Sequence, residues 1–347
     1  MAKKVRVGFI GTGGIARYQA SILKAIEGVE VVAGADVSED ALDKFGKEAG
    51  VKQVFYDYKE MLRKVEMDAV SVCTPNVLHK DPTVAALLAG KDVLVEKPMA
   101  MNATEAQAMV DAAVETGRKL AIGFQWRLTP EAQVVKRYVD AGEIGRPLFV
   151  RVQALRRRGI PNWGVFGRKE LQGGGPLIDI GVHIMELGHY LIGRPKATTA
   201  SACMYTYIGN KPSRTLCQWN NWDYKTYTVE DLAIGLIRFE GGACMSVESS
   251  FVAHIEKDVF NVQIMGEKGG ATFSPPRIFK DEAGLMVNVE PSFIGTESGF
   301  VRKMENWIAY VRGDAVTQCP AEDGLAVQKM LDGLYKSADD GREVDIL

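Results

Sequence analysis

The turn Gly11-Thr12-Gly13-Gly14-Ile15-Ala16 constrains this chain more than any other stretch. It fits the pattern G-x-G-x-x-G/A, follows an apolar run at residues 5–10 and opens a run of helical period at 15–26. Asp36 lies about 20 residues on, at the end of a second β-branched run, as a dinucleotide-binding βαβ unit requires. Gly11 permits the tight turn, Gly13 lets the backbone approach a pyrophosphate, and Ala16 allows close helix–strand packing. With Gly14 and Ile15 at the helix start, unpaired N–H groups face the phosphates. Asp36 can accept hydrogen bonds from both adenosine ribose hydroxyls and would repel a 2′-phosphate. No Arg or Lys occurs among Val37-Ser38-Glu39-Asp40, so NAD is favoured over NADP. The plainer alternative is a strand–turn–helix that binds no nucleotide.

A chain of 347 residues exceeds one typical core, so two domains are expected. The formal net charge of -2 argues against a nucleic-acid partner. Five dispersed cysteines with no C-x-x-C pair fit a reducing compartment, and the cytoplasm is expected. The start Met1-Ala2-Lys3-Lys4-Val5-Arg6 is basic, but glycines at 8, 11, 13 and 14 break the following apolar run before a signal sequence develops. No apolar stretch is long enough to span a membrane.

Strand and helix signals alternate through the first part. Runs at 5–10, 30–35, 69–73, 93–95 and 120–124 read as strands, and 15–26, 38–49, 78–88 and 104–116 as helices, with Ser38 as a helix cap. This alternation predicts a parallel sheet covered on both faces. After Gly123 the pattern changes. A helix at 130–141 and a strand at 148–155 lead to the glycine stretch Gly173-Gly174-Gly175 and a helix reaching about residue 191. Runs at 200–207, 229–239, 243–251, 259–265 and 270–273 read as mainly antiparallel strands, with closing helices at 301–311 and 324–338. The expected fold is α/β. A Rossmann domain at 1–123 precedes an α/β domain at 124–347 with a large, mostly antiparallel, open-faced sheet.

Two further segments carry chemistry. Glu96-Lys97-Pro98 ends a core strand, and ligands of open α/β sheets bind beyond the carboxyl ends of the strands. A proline there allows a cis bond. Taken alone, a strand-end lysine also reads as a solvated surface residue. In the second segment, Asp179 and His183 are four residues apart on an apolar helix and share one face. A carboxylate and an imidazole in such a helix need partners or a purpose. A satisfied buried pair is one reading. With Glu186 a metal set is another, but no second histidine pair at helical spacing supports it, and no metal is expected.

Together Gly11-Thr12-Gly13, Glu96-Lys97-Pro98 and Asp179-x-x-x-His183 resemble the Gfo/Idh/MocA family of oxidoreductases, closely from residue 5 to about 193 and in architecture beyond. The resemblance implies that Lys97, Asp179 and His183 are catalytic and line the reacting carbon. His183 would be the general acid/base, Lys97 would polarise the reacting oxygen, and Asp179 would orient His183 or a neighbouring hydroxyl. The resemblance adds Thr74, Pro75, Asn76 and His79 as contacts to the nicotinamide ribose, and Glu96, Lys97 and Gln125 to the cofactor set. Arg127, Arg156, Trp163 and Arg168 are candidate substrate contacts, with a solvated basic loop as the plainer reading for the stretch from Arg156. The third residue after His183 is often Asp in the family and is Glu186 here, which puts a supporting contact in doubt. A homodimer or homotetramer formed through the C-terminal sheet is implied as well.

The chemistry suits these side chains on its own terms. An imidazole titrates near neutral pH and can take a hydroxyl proton. A nearby ammonium stabilises a developing alkoxide. The expectation is an NAD-dependent dehydrogenase acting on a secondary hydroxyl of a sugar, anhydrosugar or polyol, by analogy the C3 hydroxyl of a pyranose. The alternatives are an NAD-dependent redox-elimination glycosidase and a non-enzymatic NAD-sensing regulator.

Overall fold

The computed structural model describes residues 4–347. Met1, Ala2 and Lys3, where the basic N-terminal stretch begins, lie outside the described residues. The chain divides into two compact units, Met1–Gln125 with Ser298–Leu325, and Trp126–Glu297 with Ala326–Leu347.

The first unit is a six-stranded sheet of β1 (Val5–Ile10), β2 (Val29–Ala35), β3 (Gln53–Phe55), β4 (Ala69–Val72), β5 (Asp92–Val95) and β6 (Leu120–Ile122), interleaved with helices α1 (Gly14–Leu23), α2 (Glu39–Ala49), α3 (Tyr58–Lys64), α4 (Lys80–Leu88) and α5 (Ala103–Thr116). The strand order is β3-β2-β1-β4-β5-β6, and every pair is parallel. Burial of β4 and β5 along their whole length is what a sheet covered on both faces demands. Ser38 caps α2 by accepting from the Ala41 N–H, as its sequence position suggests. The chain reverses its direction of travel across the sheet between β1 and β4. A crevice for a ligand belongs at the carboxyl ends of these two strands.

A contiguous boundary at 123 misses one element of this unit. The helix Gly299–Arg312 inserts Met304, Trp307, Ile308 and Val311 into the cluster formed by Val5, Val7, Phe9, Leu94 and Ala121. Its apolar stripe was legible as a helix, but which core it fills depends on tertiary packing. The short β3 and α3 also escaped the sequence reading, because three and seven residues give too little periodicity.

The second unit opens with α6 (Pro130–Asp140). It then builds a nine-stranded sheet from β7 (Pro147–Leu155), β8 (Ala197–Tyr205), β9 (Leu232–Phe239), β10 (Cys244–Ser250), β11 (Val259–Gly266), β12 (Gly269–Thr272), β13 (Arg277–Glu282), β14 (Leu285–Val289) and β15 (Val344–Asp345). The order is β14-β13-β12-β11-β7-β10-β9-β8-β15. Only the central β7–β10 pair is parallel. The hairpin β13–β14 was not expected, because its charged and exposed residues lack the alternation of a half-buried strand. Between β7 and β8 come the one-turn helix α7 (Lys169–Gln172) and the long apolar helix α8 (Val182–Leu191).

The two faces of this sheet differ. Val150, Val152, Val247 and Ile264 are buried on one face, and Gly188 of α8 comes so close that an added Cβ would lie 2.6 Å from Val152 Cγ1. Cross-strand pairing carries Tyr205, Ile234, Met265, Phe279 and Met286 onto the other face, where all are exposed. No helix among the described residues is long and apolar enough to cross a membrane.

Candidate active site

The glycine turn sits directly after β1. Gly11 has φ +82°, and a Cβ there would fall 2.7 Å from the Cys73 carbonyl, so only glycine fits. By contrast, a Cβ on Gly13 or Gly14 would meet nothing within 4 Å. The space that a pyrophosphate needs against the backbone is therefore open. Gly13 caps α1 without a side-chain hydrogen bond, which leaves the first N–H groups of the helix to an external anion. Ala16 is fully buried against the sheet.

Asp36 directly follows β2 and is half-buried. Its Oδ2 accepts from the Thr12 N–H at 2.7 Å and the Thr12 hydroxyl at 3.2 Å, and its Oδ1 accepts from the Ser38 N–H at 3.0 Å. A carboxylate offers about four acceptor sites, so one remains, on Oδ1, for a ribose hydroxyl. The open glycine cradle and this carboxylate fit a dinucleotide with a free 2′-hydroxyl.

Thr74, Pro75, Asn76 and His79 follow β4. The Thr74 hydroxyl donates to the Leu78 carbonyl at 2.9 Å. His79 is buried rather than at the surface. Its Nδ1 lies 2.7 Å from the Pro98 carbonyl and its Nε2 lies 2.9 Å from the Thr74 carbonyl. Burial pushes its pKa down, against the pull of those two carbonyls. His79 thus ties the loop after β4 to the turn after β5, and its ring nitrogens are engaged with backbone.

Lys97 lies just past β5, half-buried, and the Lys97–Pro98 peptide is cis. Glu96 points into the unit. Its Oε1 accepts from Gln19 Nε2 at 2.5 Å and from the ammonium of Lys303 at 2.6 Å. Gln19 in turn accepts from the Ser71 hydroxyl at 2.7 Å. The glutamate of this motif serves a buried network and does not present its carboxylate to a cofactor. Gln125 is buried, with Oε1 lacking a hydrogen-bond partner.

In the second unit, Asp179 sits in a π-helical turn, Leu177–Gly181, that runs into α8. The wider turn still leaves Asp179 and His183 on nearly one side, because four residues come close to a full revolution of either helix. Asp179 is buried and His183 half-buried. The turn is fastened to the sheet by the Ser249 hydroxyl, which donates to the Pro176 carbonyl at 2.8 Å. The His183 ring stands edge-on to Trp126 at 6.5 Å, and Trp126 packs on Phe260 and Phe273.

Arg156 follows β7. Its guanidinium lies 5.3 Å from the ring centres of Trp219 and Phe251. Burial lowers its pKa, while the charges of Asp179 and Asp258 pull it up. Trp163 is half-exposed and stands 4.7 Å from Trp219 and 6.0 Å from Phe166. Trp219 was not singled out by its sequence, because nothing near it marks it as different from any loop tryptophan. Arg168 is half-buried at the start of α7.

Arg127 is not a ligand contact. It is 1% exposed, its Nε donates to Glu186 Oε1 at 2.5 Å, its Nη2 pairs with the same oxygen, and it lies 4.6 Å over the Tyr190 ring. The departure at Glu186 therefore has a partner within the same unit: its carboxylate holds Arg127 beneath α8.

Residues 5–124 match a family model described as oxidoreductase family, NAD-binding Rossmann fold, and residues 136–346 match one described as oxidoreductase family, C-terminal alpha/beta domain. The chain is 37% identical over 345 residues to D-glucoside 3-dehydrogenase of Escherichia coli strain K12, covering 99% of this chain and 97% of that protein. It is 26% identical over 360 residues to glucose-6-phosphate 3-dehydrogenase of Bacillus subtilis strain 168, covering 98% of each. Among solved structures, levoglucosan dehydrogenase in complex with NADH superposes with a TM-score of 0.86 at 23% identity, covering 99% of this chain and 100% of that one.

Proposed function

Because the chain belongs to the Gfo/Idh/MocA family of oxidoreductases, we propose that it moves a hydride between NAD and a secondary hydroxyl of a sugar, anhydrosugar or polyol. The observation that carries this reading is near-full-length similarity to D-glucoside 3-dehydrogenase in a chain that keeps Lys97, Asp179 and His183. The C3 hydroxyl of a pyranose is the specific position proposed. NAD supplies the hydride acceptor, held by the Gly11–Ala16 turn and by Asp36.

The protein's own groups handle the proton and the charge. His183 takes the hydroxyl proton as the carbon loses hydride, and returns it in the reverse direction. The Lys97 ammonium binds the reacting oxygen and stabilises its growing negative charge. Asp179 orients the imidazole or a neighbouring hydroxyl. The half-exposed Trp163, packed on Trp219, offers a flat apolar surface to the C–H face of a sugar ring.

We extend the reading to a homodimer or homotetramer assembled through the open face of the nine-stranded sheet. The exposed Tyr205, Ile234, Met265, Phe279 and Met286 support it. The cytoplasm is the proposed location, supported by five free cysteines.

The test is a screen of NAD reduction over pyranoses, inositols, anhydrosugars and glycosides, repeated with NADP. NADH formation with at least one of them, and little with NADP, is expected. Glycoside cleavage without net NADH would replace dehydrogenation with redox elimination. Inertness across the screen with NAD bound would favour a regulator.

A further inference from the structure

The dehydrogenase reading leaves a buried carboxylate unused, that of Glu230. Its Oε2 accepts from the Gly175 N–H at 2.9 Å, and its Oε1 accepts from the Leu177 N–H at 3.2 Å and from the Tyr335 hydroxyl at 2.9 Å. Pro176, between the two amides, has no N–H to offer. Glu230 thus takes up both backbone donors of the segment that enters the π-helical turn bearing Asp179. A carboxylate at this point also suits the positive end of the helix dipole.

The glycines confirm that the backbone is moulded to this group. A Cβ on Gly175 would lie 2.0 Å from the Glu230 carbonyl oxygen, and a Cβ on Gly174 would lie 1.9 Å from the Tyr335 hydroxyl. The Tyr227 hydroxyl closes the arrangement by donating to the Glu230 carbonyl at 3.1 Å. Burial pushes the Glu230 carboxyl pKa up, while the two amides and the Tyr335 hydroxyl pull it back.

We propose that Glu230, held by Tyr335, is a positioning residue that sets Asp179 and His183 by anchoring the start of their helix. It touches no substrate. The four-residue step from Leu177 to Gly181 follows directly on the anchored amides, so a shift at Gly175 and Leu177 moves the Asp179 carboxylate first and the His183 ring with it. A misplacement of about 1 Å at reacting groups costs on the order of 100-fold in rate. The proposal rests on the dehydrogenase reading for its consequence, but not for its geometry.

The experiment compares Glu230→Gln and Tyr335→Phe with the unmodified protein. Gln keeps the shape but turns one acceptor into a donor facing an N–H, and Phe removes only the hydroxyl. For Glu230→Gln, kcat should fall about 10- to 100-fold, while KM and the Kd for NAD stay within about twofold, as expected for an effect confined to the reacting groups. Tyr335→Phe should fall less, and the double variant should be no worse than Glu230→Gln alone, because both act on one arrangement. Amide hydrogen exchange over residues 175–183 should accelerate in both single variants. Unchanged kcat, or a loss expressed only in NAD affinity, would overturn the proposal. If the unmodified protein reduces no NAD, the dehydrogenase reading fails by itself. The exchange rates then decide the anchor, and unchanged protection in Glu230→Gln overturns it. Should Glu230→Gln not fold, Tyr335→Phe carries the same tests.

Discussion

The Lys303 ammonium donates to Glu96 Oε1 at 2.6 Å, and both side chains are buried although more than two hundred residues separate them in the chain. The pair sits beneath the turn that carries Lys97. Removing one partner of a buried ion pair strands the other charge, which costs about 3–5 kcal/mol. Lys303→Met is therefore expected to lower the urea midpoint by a corresponding amount. Adding Glu96→Gln should recover much of the loss. A single variant as stable as the parent would show that the pair does not hold the turn.

The glycine turn and Asp36 make separable contributions. Gly11→Ala forces a Cβ into the Cys73 carbonyl and a left-handed backbone onto alanine. It should cost more than the 1–2 kcal/mol of the backbone conformation alone, read from thermal unfolding. Asp36→Ala should leave a folded protein whose NAD affinity, measured by calorimetry, falls about 10-fold or more, the value of a charged hydrogen bond. Equal use of NAD and NADP by the unmodified protein would remove the role given to Asp36.

His183→Ala should lower kcat by about 10²–10⁴-fold, the range of general acid–base catalysis. NAD binding should be unchanged, because the residue is assigned to the proton and not to the cofactor. Equal losses in both would mean that the imidazole supports the fold instead.

Trp163→Ala removes a half-exposed ring that few other groups depend on. KM for the sugar should rise about 2- to 13-fold, since an aromatic stacking surface is worth about 0.5–1.5 kcal/mol, with kcat nearly constant. A fall in kcat alone would place Trp163 elsewhere in the reaction.

Cys73, just past β4, is buried, and its thiol is pushed up to about 12 by burial and by the nearby Glu96 charge. It should resist alkylation at pH 8 in the folded protein and react once the chain is unfolded. The unfolded thiol ionises first, so the folded state binds more protons between its unfolded value near 9 and about 12. This contribution is fully present below pH 9 and is lost as pH rises, by at most about 1.4 kcal/mol per unit.

Much of this is legible in the sequence. The glycine turn, the strand that precedes it and Asp36 depend on local sequence and on a short βαβ unit, and local patterns report these well. Asp179 and His183 were legible through their spacing on an apolar helix. The π-helical turn was not, because its partners Ser249 and Glu230 lie far off in the chain. Arg127 misled for a related reason: a basic residue after a strand reads as a ligand contact until its partner, Glu186, is seen. Glu96 was assigned to the cofactor for want of Lys303, which no spacing could bring to it. Trp219, Glu230 and Tyr335 carry no local signature at all. Side chains whose role is to hold another residue are defined by distance in space, and a single sequence does not encode that distance in any readable period.

The helix Gly299–Arg312 has a consequence for how the molecule is made. Its Trp307 and Met304 complete a core whose other members lie mostly in the first third of the chain. During synthesis the nucleotide-binding unit therefore emerges early but stays unfinished, with an apolar groove open and the Glu96 carboxylate awaiting its cation, until nearly the whole chain has left the ribosome. A fragment ending at residue 125 should be aggregation-prone, whereas one carrying 298–325 on a linker should fold.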